Sequence, residues 1–126
     1  MAPSGRRLAG DAAENLVLDH LSRAGLKLLT RNYRCRAGEL DLVLLEGNQL
    51  VLVEVRYRSG TSHGGAIASV SSSKQRRLVQ AARHLLMQYP ELARLPARFD
   101  VVAVEPAGAG PRRLTWLRSA FELPAS

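Results

Sequence analysis

A chain of 126 residues, 46% apolar and 23% charged, is long enough to bury one core without disulfides, and its apolar content excludes wholesale disorder. The lone Cys35 excludes an internal disulfide and a cysteine metal cluster, and Asp41, Glu46 and Glu54 interrupt the longest apolar runs, so no membrane span is expected. The formal charge of +7, from 18 basic and 11 acidic residues, points toward an anionic partner, nucleic acid first.

The expected organisation is one domain over residues 1–126, with 1–6 a flexible lead and 122–126 a tail. The start M-A-P-S-G-R-R-L-A-G turns polar and then helical, unlike a signal peptide. A single thiol fits a reducing compartment, so the expected location is the cytoplasm. From Arg7 to Ala24, Ala9, Ala13, Leu16, Val17, Leu21 and Ala24 recur at helical spacings, and Gly25 is a natural stop. Glu14 sits beside that apolar stripe. It either pairs with an arginine or faces acids elsewhere, and the pattern alone favours the arginine. Leu26–Arg34 reads as a strand, with Arg31, Arg34 and Arg36 making a basic stretch.

Residues 38–56, G-E-L-D-L-V-L-L-E-G-N-Q-L-V-L-V-E-V-R, read as two apolar strands around a Gly47-Asn48 turn. Alternation places Glu39 with Asp41 on one face, and Glu54 with Arg56 on one face. A two-residue loop pairs Glu46 with Gln49 and makes partner numbers sum to 95. Asp41 then opposes Glu54, and Glu39 opposes Arg56, with Cβ atoms about 4.5–5.5 Å apart. Opposed carboxylates repel unless one is protonated or a cation sits between them. Their oxygens suit a hard cation, Mg²⁺ or Mn²⁺. A solvated hairpin face with Arg56 neutralising Glu39 is the plain alternative.

Residues 57–73, rich in glycine and serine, read as a mobile loop placed to cover the Glu54–Arg56 face. His63 is its one residue titrating near neutrality, and a lone loop histidine is usually incidental. Ser71, Ser72 or Ser73 can cap a helix to about Gln88, which Pro90 ends. Its apolar stripe is Leu78, Val79, Ala82, Leu85, Leu86 and Tyr89, and Lys74, Arg76, Arg77 and Arg83 make its start and outer side basic. Phe99–Val104 reads as a strand, residues 106–111 as a turn, and Leu114–Leu117 as a last strand. The order α-β-β-β-α-β-β predicts an α/β fold, a mixed sheet flanked by helices.

G-D-A-A-E-N at 10–15, R-N-Y-R at 31–34, G-E-L-D-L-V, V-E-V-R, Lys74, F-D-V-V at 99–102 and W-L-R-S-A-F at 116–121 together resemble the YraN family of small bacterial proteins. The resemblance runs from about Gly10 to Phe121. It implies a restriction-endonuclease-like fold of the PD-(D/E)xK nuclease superfamily, with kinship to Holliday junction resolvases. On that pattern Asp41 is the first acid and Glu54 the second, with Glu14 supplied by the first helix. Asp41, Glu54 and the Val55 carbonyl would hold Mg²⁺ or Mn²⁺, which Glu14 would complete. The resemblance thus implies hydrolysis of branched or structured DNA. Resolvases act as symmetric dimers, which raises the expectation of a homodimer, although no pattern here marks a dimer face.

Arg56 departs from the pattern, standing where lysine is expected. Arginine stays protonated and cannot act as a base, although it can stabilise an anionic transition state. Lys27 and Lys74 are the only lysines, so sixteen of the 18 basic residues are arginine. In such a chain Lys74 becomes the more suspicious cation, able to reach a phosphate from the second helix. Loss of turnover, leaving a nucleic-acid-binding module of the same fold, is the other reading of Arg56.

Overall fold

The computed structural model describes residues 5–57, 70–107 and 110–124. Among them the elements are α1 (Gly5–Arg23), β1 (Lys27–Cys35), β2 (Gly38–Glu46), β3 (Gln49–Tyr57), α2 (Ser72–Gln88), a short 3₁₀ helix (Pro90–Arg94), β4 (Ala97–Ala107) and β5 (Gly110–Glu122). This is the expected α-β-β-β-α-β-β order. The sheet runs β1-β2-β3-β4-β5, antiparallel except between β3 and β4. A parallel pair needs a crossover, and α2 is that crossover. No helix among the described residues is long and apolar enough to cross a membrane.

The helices cover opposite faces of the sheet. Ala13, Val17 and Leu21, spaced by four, press α1 onto Leu42, Leu44, Val51, Val53, Val102 and Val104. Leu78, Val79, Ala82 and Leu85 press α2 onto Leu40, Val43, Leu50, Leu52, Phe99 and Val101. α1 ends in a Schellman motif: Gly25 has φ 98°, its N–H donates to the Ser22 carbonyl at 3.0 Å, and the Leu26 N–H donates to the Leu21 carbonyl at 3.0 Å. α2 starts at Ser71, whose hydroxyl accepts from the Lys74 amide at 3.0 Å.

The β2–β3 turn keeps the expected register, from Glu46↔Gln49 to Leu42↔Val53, with Gly47 at φ 59° taking the left-handed turn position. Alternation along β2 does not persist. Leu40 packs under α2 while Leu42 packs under α1, so the strand changes face at Asp41. Glu39 lies opposite Arg34 of β1, 3.6 Å away in an ion pair, and not opposite Arg56 as the hairpin arithmetic predicted. Arg56 instead pairs in register with Ala103 of β4. The arithmetic fails there because the β2–β3 ladder stops at Leu42↔Val53.

β4 and β5 are both longer than predicted. Asp100 is fully buried and accepts from Arg98 Nε (2.9 Å), Arg98 Nη2 (3.2 Å), Trp116 Nε1 (2.9 Å) and the Ser119 amide (2.9 Å). Arg98 also donates to Glu46 (2.9 Å) and Gln49 (2.6 Å), which ties the β2–β3 turn to β4. The β5 bulge that delivers the Ser119 amide puts Ser119 at φ 51° and shifts the register between Phe99 and Val101. Beyond it Phe121 stacks on Phe99, with ring centroids 4.5 Å apart.

Parts of the expected lead and tail lie in regular structure or pack on it. α1 already begins at Gly5, and Glu122 ends β5. The Pro124 carbonyl accepts from Arg83 Nη2 at 3.3 Å, and Leu123 packs on the α2 core. Much of the 57–73 loop, including His63, lies outside the described residues.

Candidate active site

Beyond Leu42↔Val53 the two central strands part, and Asp41 occupies the gap. Its Oδ2 accepts from the Val55 amide at 2.8 Å, where a backbone carbonyl would have accepted had the ladder continued. A residue's N–H and C=O leave an extended strand on the same edge, so the Val55 carbonyl opens on the same side. Val53 and Val55 pack on the α1 face, so Glu54 points to the α2 face. Glu54 is buried, its side chain 6% exposed. Asp41 and Glu54 therefore meet through the parted strands, approaching from opposite faces.

Burial first, then the hydrogen bond and repulsion from Glu54, push the Asp41 carboxyl up to about 8, against the pull of the Val55 amide. Glu14 adds a smaller repulsion. The Asp41 carboxyl is thus biased toward its protonated form, beside Glu54.

Two cations approach Glu54 Oε2: Lys74 Nζ at 3.4 Å and Arg56 Nη1 at 3.9 Å. The Ser71 cap places Lys74 in the first turn of α2 on the face where Glu54 emerges. Arg56 reaches the same oxygen by the two-residue period of β3.

Glu14 takes the arginine partner that the pattern alone favoured. It accepts from Arg31 Nη2 at 3.3 Å, and it lines an open cavity of about 550 Å³ together with Asp11, Asn32, Glu39 and Asp41. Burial raises its pKa, partly offset by Arg31. The structure thus brings Glu14, Asp41, Glu54, Val55, Arg56 and Lys74 to one end of the sheet. Asn32 was not anticipated. Its φ of 54° falls within a strand, and its flanking pairs, Arg31↔Leu42 and Tyr33↔Leu40, set it across from Asp41. The available signal was an asparagine, tolerant of left-handed backbone, inside an otherwise strand-like run.

Among the described residues, no group of three or more His, Cys, Asp or Glu side chains is gathered that could hold a metal ion. The donor chemistry still fits a hard divalent cation. Two carboxylates and a carbonyl oxygen are present, Glu54 repels the charged form of Asp41 as a cation between them would not, and Mg²⁺ keeps several waters in such sites.

Residues 13–104, which include every one of these six residues, match the model of a family described as uncharacterised protein family UPF0102. A UPF0102 protein of Stutzerimonas stutzeri is 51% identical over 114 residues, covering 90% of this chain and 94% of its own. One from Pseudomonas entomophila is 50% identical over 114 residues, with 90% and 93% covered. One from Methylococcus capsulatus is 50% identical over 124 residues, with 97% and 98% covered.

Proposed function

The chain belongs to the UPF0102 (YraN) family, and from that premise we propose that it is a metal-dependent endonuclease hydrolysing phosphodiester bonds in branched or otherwise structured DNA. The observation that carries this reading is the Asp41–Glu54 pair, half-buried and buried respectively, held where the strands part, with Lys74 Nζ 3.4 Å from Glu54 Oε2.

Asp41 and Glu54, with the Val55 carbonyl, would hold Mg²⁺ or Mn²⁺. When bound, such an ion neutralises charge at a phosphate and lowers the pKa of a water. The chain's own groups account for the rest. The Val55 N–H holds Asp41 Oδ2 in place. Glu14 orients water from the cavity side. Lys74 Nζ, a mobile donor beside Glu54, hydrogen-bonds a phosphate oxygen or the attacking water. Arg56 supplies fixed positive charge for the pentacovalent state and takes no proton. The basic excess, including Arg34, Arg36 and Arg77, favours phosphate contact in DNA. A symmetric homodimer would present two such sites to a branched substrate.

The test is cleavage of junction, flap and single-stranded DNA with Mg²⁺ or Mn²⁺. Metal-dependent cutting that Asp41→Ala abolishes is expected, and equal activity in the variant and the wild type would sink the proposal.

A second reading is a nucleic-acid-binding module that has lost turnover. It is favoured by one observation: Arg56 and Lys74 both reach Glu54 Oε2, so protein cations already neutralise the acid a metal would need. It predicts salt-sensitive DNA binding without metal-dependent cleavage.

A further inference from the structure

We propose that Asn32 is a positioning residue that aims Glu14 at the Asp41 side of the cavity; this rests on the proposed metal site. The Asn32 side-chain amide is oriented by its surroundings, which present acceptors to one end. With its nitrogen there, it lies 3.2 Å from each Glu14 carboxylate oxygen and 3.0 Å from Glu39 Oε1. An amide nitrogen has two hydrogens, so one serves each acid. Both oxygens of Glu14 are thereby engaged, which sets the plane of the carboxylate, whereas Arg31 touches Oε1 alone.

The chemistry of the donor matters. A cation at this position would cancel the negative charge that attracts a metal. Arg31 already pairs with Glu14 and Arg34 with Glu39, and a neutral amide holds the two acids together against their repulsion without cancelling more of that charge. The left-handed backbone at Asn32 directs the side chain to this spot, and asparagine is among the few residues that adopt that conformation readily.

The plain alternative is that Asn32 is there for its backbone conformation alone. Asn32→Gly separates the two, because glycine keeps the left-handed conformation and removes only the amide. Mn²⁺ binding is titrated by the loss of the free-ion electron paramagnetic resonance signal, using the full chain as wild type, Asn32→Gly, Glu14→Ala and the double variant. The expected result is weakening by about 10- to 100-fold in Asn32→Gly, the usual effect of losing a group that orients a metal ligand. In the Glu14→Ala background the same substitution then has no further effect, because Asn32 acts through Glu14. Wild-type affinity in Asn32→Gly overturns the inference while leaving the metal site intact. So does an undiminished Asn32→Gly effect in the Glu14→Ala background. A wild type that binds no Mn²⁺ overturns the metal site, and this inference with it.

Discussion

Asp41 and Glu54 meet where the β2–β3 ladder has already ended, and the Val55 amide that would have continued it is bonded to Asp41 instead. Burial and the neighbouring Glu54 raise the pKa of the Asp41 carboxyl there, and this makes stability depend on pH in a defined direction.

Asp41 is raised from 3.8 to about 8 in the folded chain, so between those values the folded state holds a proton that the unfolded state has lost. Stability from this group is complete below about 4 and is lost as pH rises through about 8, by up to about 1.4 kcal/mol per pH unit. Urea denaturation in EDTA at several pH values from 5 to 8 is expected to show that slope, and Asp41→Asn to flatten it. Excess Mn²⁺ is expected to oppose the slope, because the ion displaces the proton and binds better as pH rises. Identical slopes for wild type and Asp41→Asn would contradict the raised Asp41 pKa.

Lys74 and Arg56 touch the same Glu54 oxygen but predict different kinetics. If Lys74 is the working cation, Lys74→Ala lowers the single-turnover cleavage rate by about 10²- to 10³-fold, the usual loss for one transition-state donor. Arg56→Lys then changes the rate by less than about tenfold. A wild type that binds DNA without cutting, with cleavage appearing in Arg56→Lys, would favour the reading in which turnover has been lost.

Asp100 is expected to behave as a structural acid. Asp100→Ala leaves the buried Arg98 without its main partner and removes acceptors from Trp116 and Ser119. Breaking such a pair from one side costs about 3–5 kcal/mol. Urea denaturation of Asp100→Ala is expected to show a loss of that size. Trp116→Phe, which removes one donor, is expected to cost about 1–3 kcal/mol. A near-neutral Asp100→Ala would refute the role assigned to this network.

The Ser71 cap can be tested alone. Ser71→Ala is expected to lower stability by about 1 kcal/mol in urea denaturation. It also frays the turn that holds Lys74, so any cleavage activity should fall with it; unchanged stability would mean that the Lys74 amide is satisfied elsewhere.

Much of the fold was legible because it is periodic. The four-residue spacing of Ala13, Val17 and Leu21, the α2 stripe and the Gly47-Asn48 turn each predicted an element that forms, and the turn alone set the register of β2 against β3. The site was legible for the same reason as far as Leu42. What could not be read was the parting of the strands at Asp41, because alternation carries no mark of where a ladder ends. The pairing of Glu39 with Arg34 depends on β1, whose register against β2 a hairpin argument does not contain. The Arg98–Asp100 network was missed because it requires a bulge at Ser119 and partners on four strands. Three arginines and a serine along β5 also hid a strand of 13 residues behind the stretch Leu114–Leu117.

The most direct measurement is anomalous diffraction at the manganese edge from crystals soaked in Mn²⁺. The account predicts a manganese peak within bonding distance of Asp41 and Glu54, with Lys74 displaced from Glu54 Oε2. A gap without manganese, with Lys74 and Arg56 still on that oxygen, would contradict it.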